Sequence, residues 1–160
     1  MEWTAWRQDV FGDPYLVWHE GADLEQLTSR PLDEVTRMLP LGLRAGDHVA
    51  AQAYGHLSGL GRAPEDTETL LRSVVATAEG AFLVAVAQAL HVVTGDEEWA
   101  KPVVAVLALN NEHVSYKAAI ALREFESTPY VVEALRAAVR TGEYLTRYHA
   151  AELLRARDLA

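Results

Sequence analysis

Apolar residues recur every three or four positions over most of the chain, as one face of a helix requires. The pattern predicts four helices, at 31–43, 67–79, 97–110 and 129–140. Thr128 followed by Pro129 is a helix start, and Asp66 can cap the helix at 67–79. Pro102 lies inside the third segment and indicates either a kink or a late start of that helix. No strand is predicted in residues 31–160.

A short phrase returns in the apolar segment that follows each of these helices. Residues 114–122 read VSYKAAIAL and residues 146–154 read TRYHAAELL, a shift of 32 residues. Looser copies begin at Phe82 and Val49. Repeat periods of about 20 to 50 residues are typical of stacked helical units. The sequence therefore predicts an all-α protein of four helical hairpins, with residues 31–160 as one repeat domain.

The phrase resembles the second helix of a HEAT-like repeat of the phycobilisome-lyase type. That pattern has a valine, an arginine, two variable residues, two alanines, one variable residue and then alanine-leucine; residues 146–154 keep the arginine, as Arg147, and both alanines. The resemblance implies a right-handed α-solenoid of about four HEAT-like hairpins whose second helices line the concave surface. Repeats of this type serve as scaffolds, lyase subunits, DNA glycosylases and toxin-neutralising proteins.

The alanines of the phrase have a packing role. Small side chains there let the second helix approach its own partner and the next hairpin closely, and a larger one would overpack the contact. Tyr54 and Val86 stand where the later copies have alanine. Looser packing is therefore expected between the first two hairpins than between the last two.

Residues 1–30 fall outside the repeat and are rich in tryptophan. Trp3, Trp6 and Val10 suit one face of a short helix, 15–18 reads as extended, and 23–29 as a helical turn. We interpret this segment as a cap over the open end of the repeats, since terminal repeats need one. The alternative is that its aromatic and polar side chains form a ligand pocket or a binding hot spot: Trp3, Trp6, Trp18, His19 and Glu20.

Charge and composition narrow the choice of partners. The net charge of −9 argues against general binding to nucleic acid, which depends on neutralising phosphates. Residues 1–30 hold six acidic and two basic side chains, a distribution that favours a basic partner. There is no cysteine and no apolar run of about 20 residues, so neither disulfides nor a membrane span are predicted. The expected location is the cytoplasm.

The variable positions of the stacked phrases are the ones free to face solvent on the second helices. Tyrosine and arginine contribute strongly to protein interfaces, which makes this surface the predicted binding face. The alternative is that both tyrosines pack against the neighbouring hairpin. The candidate binding residues are Gln52, Gln88, Tyr116, Lys117, Arg123, Arg147, Tyr148, His149 and Glu152.

Motifs for catalysis are missing from the sequence. It contains neither His-Glu-x-x-His nor Gly-x-Ser-x-Gly, so no metal, cofactor or catalytic residue is predicted. The function that we expect is non-catalytic protein binding in a scaffold or toxin-neutralising (immunity-type) protein, as a monomer or weak homodimer. The alternative is a HEAT-like enzyme, such as an alkyl-base DNA glycosylase or a lyase subunit, with Glu97, Glu98 and Trp99 at one end of its groove.

Overall fold

The computed structural model describes residues 2–160, and every regular element in that range is helical. The α-helices are α1 (Trp3–Phe11), α2 (Pro14–Glu20), α3 (Leu32–Arg44), α4 (His48–Gly59), α5 (Thr67–Val75), α6 (Gly80–Thr94), α7 (Ala100–Ala108), α8 (Ser115–Ala121), α9 (Pro129–Thr141) and α10 (Tyr144–Ala156). Shorter 3-10 segments span Leu24–Ser29, Glu97–Trp99 and Leu122–Glu124. The all-α prediction is confirmed. In the same range no helix has the length and apolarity needed to cross a bilayer.

The ends of the helices follow the local chemistry of their first turns. The Thr128 hydroxyl accepts a hydrogen bond from the Val131 N–H at 3.3 Å, which confirms the predicted cap of α9. The cap predicted at Asp66 is wrong: its ψ of 8° is far from the extended conformation of an N-cap, and its side chain accepts no capping bond. Pro102 is the third residue of α7, where an N–H has no partner within the helix anyway. The helix begins at Ala100 rather than at residue 97, so the predicted late start is confirmed.

The helices pack in the order that the repeated phrase suggests. α3 contacts α4, α5 contacts α6, α7 contacts α8, and α9 contacts α10. The second members of these pairs, hereafter the second helices, also contact one another in succession from α4 through α6 and α8 to α10. Apolar side chains between the helices form two core clusters, one in each half of the chain, and Trp99 packs against both.

The contact between α4 and α6 is close, and it is more extensive than that between α8 and α10. A Cβ atom added to Gly55 would lie 3.3 Å from Ala89 Cα, so the two backbones nearly touch there. Tyr54 and Val86 are fully buried beside this contact. The expectation of looser packing in the first two hairpins is wrong, because glycine and alanine at neighbouring positions provide the small surfaces that the phrase itself lacks.

The N-terminal segment is helical and lies against the first hairpin. α1 packs on α3 and buries Trp3 and Trp6, as the spacing of these residues predicts. The stretch 15–18 is not extended but belongs to α2. The Asp13 carboxylate accepts hydrogen bonds from the N–H groups of Tyr15 and Leu16 at 2.8 and 3.4 Å, and Pro14 supplies the first helical residue. The helical turn expected at 23–29 is present as the 3-10 segment.

The contact between α1 and α3 depends on a glycine. An added Cβ on Gly42 would lie 2.5 Å from Trp3 Cε2, inside the buried indole. Overpacking of this kind costs roughly 1–3 kcal/mol, and the better helix propensity of alanine offsets about 1 kcal/mol of it. We expect Gly42→Ala to lower the free energy of unfolding, measured by urea denaturation, by about 1 kcal/mol and by no more than about 2 kcal/mol.

Gly59, in the last turn of α4, provides a matched control for this substitution. Its added Cβ would meet only Val92 Cγ1, at 4.0 Å, so Gly59→Ala is expected to leave stability unchanged or slightly raised. If Trp3 is first replaced by alanine, Gly42→Ala should no longer destabilise. If Gly42→Ala lowers the free energy of unfolding equally with Trp3 present and with Trp3 replaced, the proposed clash is contradicted.

Candidate functional site

A groove runs between the C-terminal end of α2 and the second helices α4, α6 and α8. It consists of two adjoining cavities of about 380 and 270 Å³, hereafter the first and second cavity. Both are lined by Gly21, Gln52, Ala85 and Gln88, so they form one continuous depression. Concave sites of this size are typical places for ligand or partner binding.

One lysine holds α2 over the second helices. Lys117 Nζ, on α8, donates a hydrogen bond to the Trp18 carbonyl oxygen at 2.8 Å and lies 4.0 Å from the centroid of the Trp18 ring. The edge of that ring meets the His48 ring of α4, with centroids 5.3 Å apart. Burial lowers the pKa of Lys117. The N-terminal segment thus forms one wall of the groove.

The floor of the first cavity is made of small residues with two carboxamides between them. The small residues, hereafter the small-residue floor, are Ala51, Gly55, Ala85 and Ala89. Gln52 of α4 and Gln88 of α6 are half-buried, and neither side chain hydrogen-bonds to another group among residues 2–160. Each carboxamide has donor and acceptor capacity available for a bound molecule.

The charged groups around the first cavity are acidic. Glu124 lines it directly, while the Glu25 carboxylate lies at its edge, 3.5 Å from His56 Nε2. Both glutamates are exposed. No lysine or arginine lines this cavity in the part of the chain that the structure describes. A cation bound here would therefore meet negative potential without a competing positive charge.

The second cavity is lined by a half-buried histidine, His48. Burial lowers the pKa of His48 to about 4; Asp47 acts in the opposite direction, while Arg7 and Lys117 lower it further. The imidazole is therefore neutral at physiological pH. A neutral ring fits this position, since Trp18 and the cationic Lys117 lie against the same face of α4.

Asp47 joins α1 to the start of α4 beneath this histidine. Its Oδ2 accepts a hydrogen bond from the Trp3 indole N–H at 2.7 Å, and its Oδ1 caps α4 through the Val49 N–H at 2.9 Å. Arg7 Nε lies 2.8 Å from Oδ2, an ion pair without hydrogen-bond geometry. Arg7 is 8% exposed, so this carboxylate neutralises a buried cation.

The predicted binding residues fall into two groups. Gln52, Gln88, Tyr116 and Lys117 all line the groove. The others do not line it: Arg123 lies in the 3-10 segment after α8, and the remaining four lie on α10, namely Arg147, Tyr148, His149 and Glu152.

An aromatic contact connects the two groups. Tyr116 stacks on the His149 ring at a centroid distance of 6.2 Å, and the edge of Tyr148 meets the same ring at 5.2 Å. Burial raises the pKa of Tyr116, while burial and then Arg123 lower the pKa of His149. The His149 ring thus contacts both tyrosines.

The acidic pair considered for enzyme chemistry is placed elsewhere. Glu97 Oε1 lies 2.8 Å from His91 Nε2, and Glu97 Oε2 accepts a hydrogen bond from the Glu126 N–H at 3.0 Å. Burial alone would raise the pKa of Glu97, but these two bonds lower it overall. His91 stacks on buried Phe125 at 4.2 Å. Glu97 thus ties α6 to the segment after α8 and does not line the groove.

Metal ligands do not cluster in this protein within residues 2–160: no three histidine or acidic side chains lie close enough to hold an ion. The groove also contains residues that the repeated phrase does not indicate. They are Trp18 to Ala22, Leu24, His48, His56 and Glu124. The alternative reading of the N-terminal segment as part of a pocket applies to Trp18, His19 and Glu20, while Trp3 and Trp6 belong to the core.

Comparisons with known proteins add no family to this description. No protein-family model matches the chain, and neither the curated proteins nor the solved structures give a match.

Proposed function

We propose that this protein binds a segment of another protein in the groove between α2 and the second helices. The observation that carries the proposal is the pair of carboxamides, Gln52 and Gln88, which lie in the groove without internal hydrogen-bond partners. Half-buried polar groups of this kind lose water when a partner arrives, and they favour a partner that offers matching hydrogen bonds.

The binding surface extends from the groove onto the last helix, α10. Tyr148 is 52% exposed and Arg147 is exposed on the same helix, α10. Side chains of these two types are frequent at the energetic centres of interfaces, because they combine large contact area with hydrogen bonding. The tyrosine-histidine contact at Tyr116 and His149 connects this region to the groove.

Within this proposal the helical pairs form a right-handed solenoid of HEAT-like repeats with the groove on its concave side. The successive contacts of α4, α6, α8 and α10 support that arrangement. The net charge of −9 favours a basic partner, as in a protein that neutralises a nucleic-acid-cleaving toxin by covering its active site. A scaffold role uses the same surface.

Site-specific photo-crosslinking in the native cells tests the proposal. A photoreactive amino acid at Gln88 is expected to crosslink one or a few proteins, identified by mass spectrometry. The same amino acid at Gln8, an exposed glutamine of α1 outside the groove, is the matched control. Identical products at both positions, or none at Gln88, would contradict binding in the groove.

A further inference from the structure

We infer that the occupant of the groove is an extended peptide segment that places a lysine or arginine side chain in the first cavity. This inference rests on the proposed function and specifies the partner's conformation and charge. In it, Gln52 and Gln88 pair with the backbone of the bound segment, while Glu124 and Glu25 attract its basic side chain.

The carboxamides decide between an extended and a helical occupant. A side-chain carboxamide presents the same N–H and C=O groups as a peptide bond, so it can pair with a free backbone amide on both sides. A helix uses these backbone groups internally and leaves only those of its ends unpaired. Gln52 and Gln88, on adjacent helices and lining both cavities, suit a chain that runs along the groove with its backbone unpaired.

The small-residue floor allows the close approach that such pairing needs. Ala51, Gly55, Ala85 and Ala89 carry at most one carbon beyond the backbone, and Gly55 and Ala89 are held against each other by the α4–α6 contact. Because the floor is preformed and apolar, a bound backbone can lie directly on it without displacing long side chains.

The charges decide where the basic side chain goes. Glu124 lines the first cavity and Glu25 lies at its edge, whereas the nearest lysine, Lys117, lines only the second cavity and is bound to the Trp18 carbonyl oxygen. The cavity thus combines an apolar floor, which suits the stem of lysine or arginine, with carboxylates at the rim for its charged end.

Peptide selection followed by backbone methylation tests the inference. A displayed library of random twelve-residue peptides is selected on the intact protein, and the enriched peptides are synthesised with a fluorescent label. Their dissociation constants are measured for the protein, for Gln52→Ala/Gln88→Ala, for Glu25→Gln/Glu124→Gln, and for Gln8→Ala as the control. Crosslinking from Gln88 reports whether each peptide lies in the groove.

The enriched peptides are expected to share one lysine or arginine. Their affinity should fall about tenfold or more in the double glutamine variant, since two pairs of backbone hydrogen bonds are lost, and should be unchanged in Gln8→Ala. N-methylation of one or two central backbone amides should weaken binding similarly. In the double glutamate variant the affinity for the peptides should fall several-fold, and it should depend less on the salt concentration.

Two results overturn the inference and remain distinguishable from failure of the proposed function. If peptides crosslink to Gln88 but bind as helices, tolerate N-methylation or show no preference for a basic residue, the groove is a binding site for a different occupant. If no peptide is enriched, or if the enriched peptides do not crosslink to Gln88, both the inference and the groove as a peptide-binding site fail.

Discussion

Replacing Asp47 by alanine is expected to lower the free energy of unfolding by roughly 3–5 kcal/mol, the range for breaking one side of a buried ion pair. The substitution removes three interactions at once: the bond from the Trp3 indole, the cap of α4 and the ion pair with Arg7. It also leaves the Arg7 guanidinium buried without its counter-charge. Urea denaturation, followed by tryptophan fluorescence and by circular dichroism, measures the loss.

Asp23→Ala is the matched control, because Asp23 caps the 3-10 segment through the Glu25 N–H at 3.2 Å but has no buried cation to neutralise. This variant should lower the free energy of unfolding by about 1 kcal/mol or less. Asp47→Asn removes the charge and keeps only one of the two oxygen acceptors, so it can retain the indole bond or the cap but not both, and its stability should fall between those of the other two variants. An Asp47→Ala variant as stable as Asp23→Ala would show that α1 does not depend on this carboxylate.

Acid is expected to destabilise the protein through His48, by up to about 3 kcal/mol between pH 6.5 and pH 4. Burial lowers the pKa of this histidine from 6.5 to about 4 in the folded protein. Between these two values the unfolded chain binds a proton that the folded chain does not, so stability falls as the pH falls. Above pH 6.5 the stability linked to the lowered pKa of His48 is fully present, and near pH 4 it has been lost. The magnitude follows from about 1.4 kcal/mol per pKa unit.

The difference between two variants isolates this contribution from carboxylates that titrate in the same range. His48→Gln should flatten the dependence of the free energy of unfolding on pH between 6.5 and 4. His113→Gln, which removes a histidine side chain that is 78% exposed, should leave it unchanged. Equal pH dependences in all three proteins would contradict the neutral state of His48 in the folded protein. The charged groups that act on its ring are Asp47, Arg7 and Lys117, and Trp18 packs against it.

The helical layout was predictable because burial repeats with the sequence. Ala118 and Ala150, which the repeated phrase aligns, are both fully buried, and the aligned pair Leu122 and Leu154 is also buried. A periodic apolar pattern indicates which face of a helix is buried. The positions outside that face are then free to face solvent, and Gln52 and Gln88 were identified in this way. The failure of Asp66 to cap α5 was not predictable in this way, since residue type does not determine backbone conformation.

The groove itself depends on a contact that periodicity cannot reveal. α2 lies outside the repeat, and Trp18 contacts the second helices through Lys117 of α8 and His48 of α4. Nothing in the spacing of these residues indicates that they meet. The acidic rim shows the same limit, because Glu25 and Glu124 come from separate 3-10 segments that are brought to the same cavity only in the folded chain.

The bond between Trp18 and Lys117 has a consequence for the order of folding during synthesis. Its two residues are separated by 99 positions, whereas α3 and α4 contact each other within one hairpin. A growing chain leaves the ribosome from its N-terminus, and helical hairpins with local contacts form quickly. α1 can settle on α3 early and Trp18 of α2 can meet His48 of α4, but the bond to Lys117 cannot form until α8 has been made and has packed on α6. The wall of the groove is therefore completed only after the third helical pair, and in a nascent chain arrested before α8 the helix α2 would lack this bond.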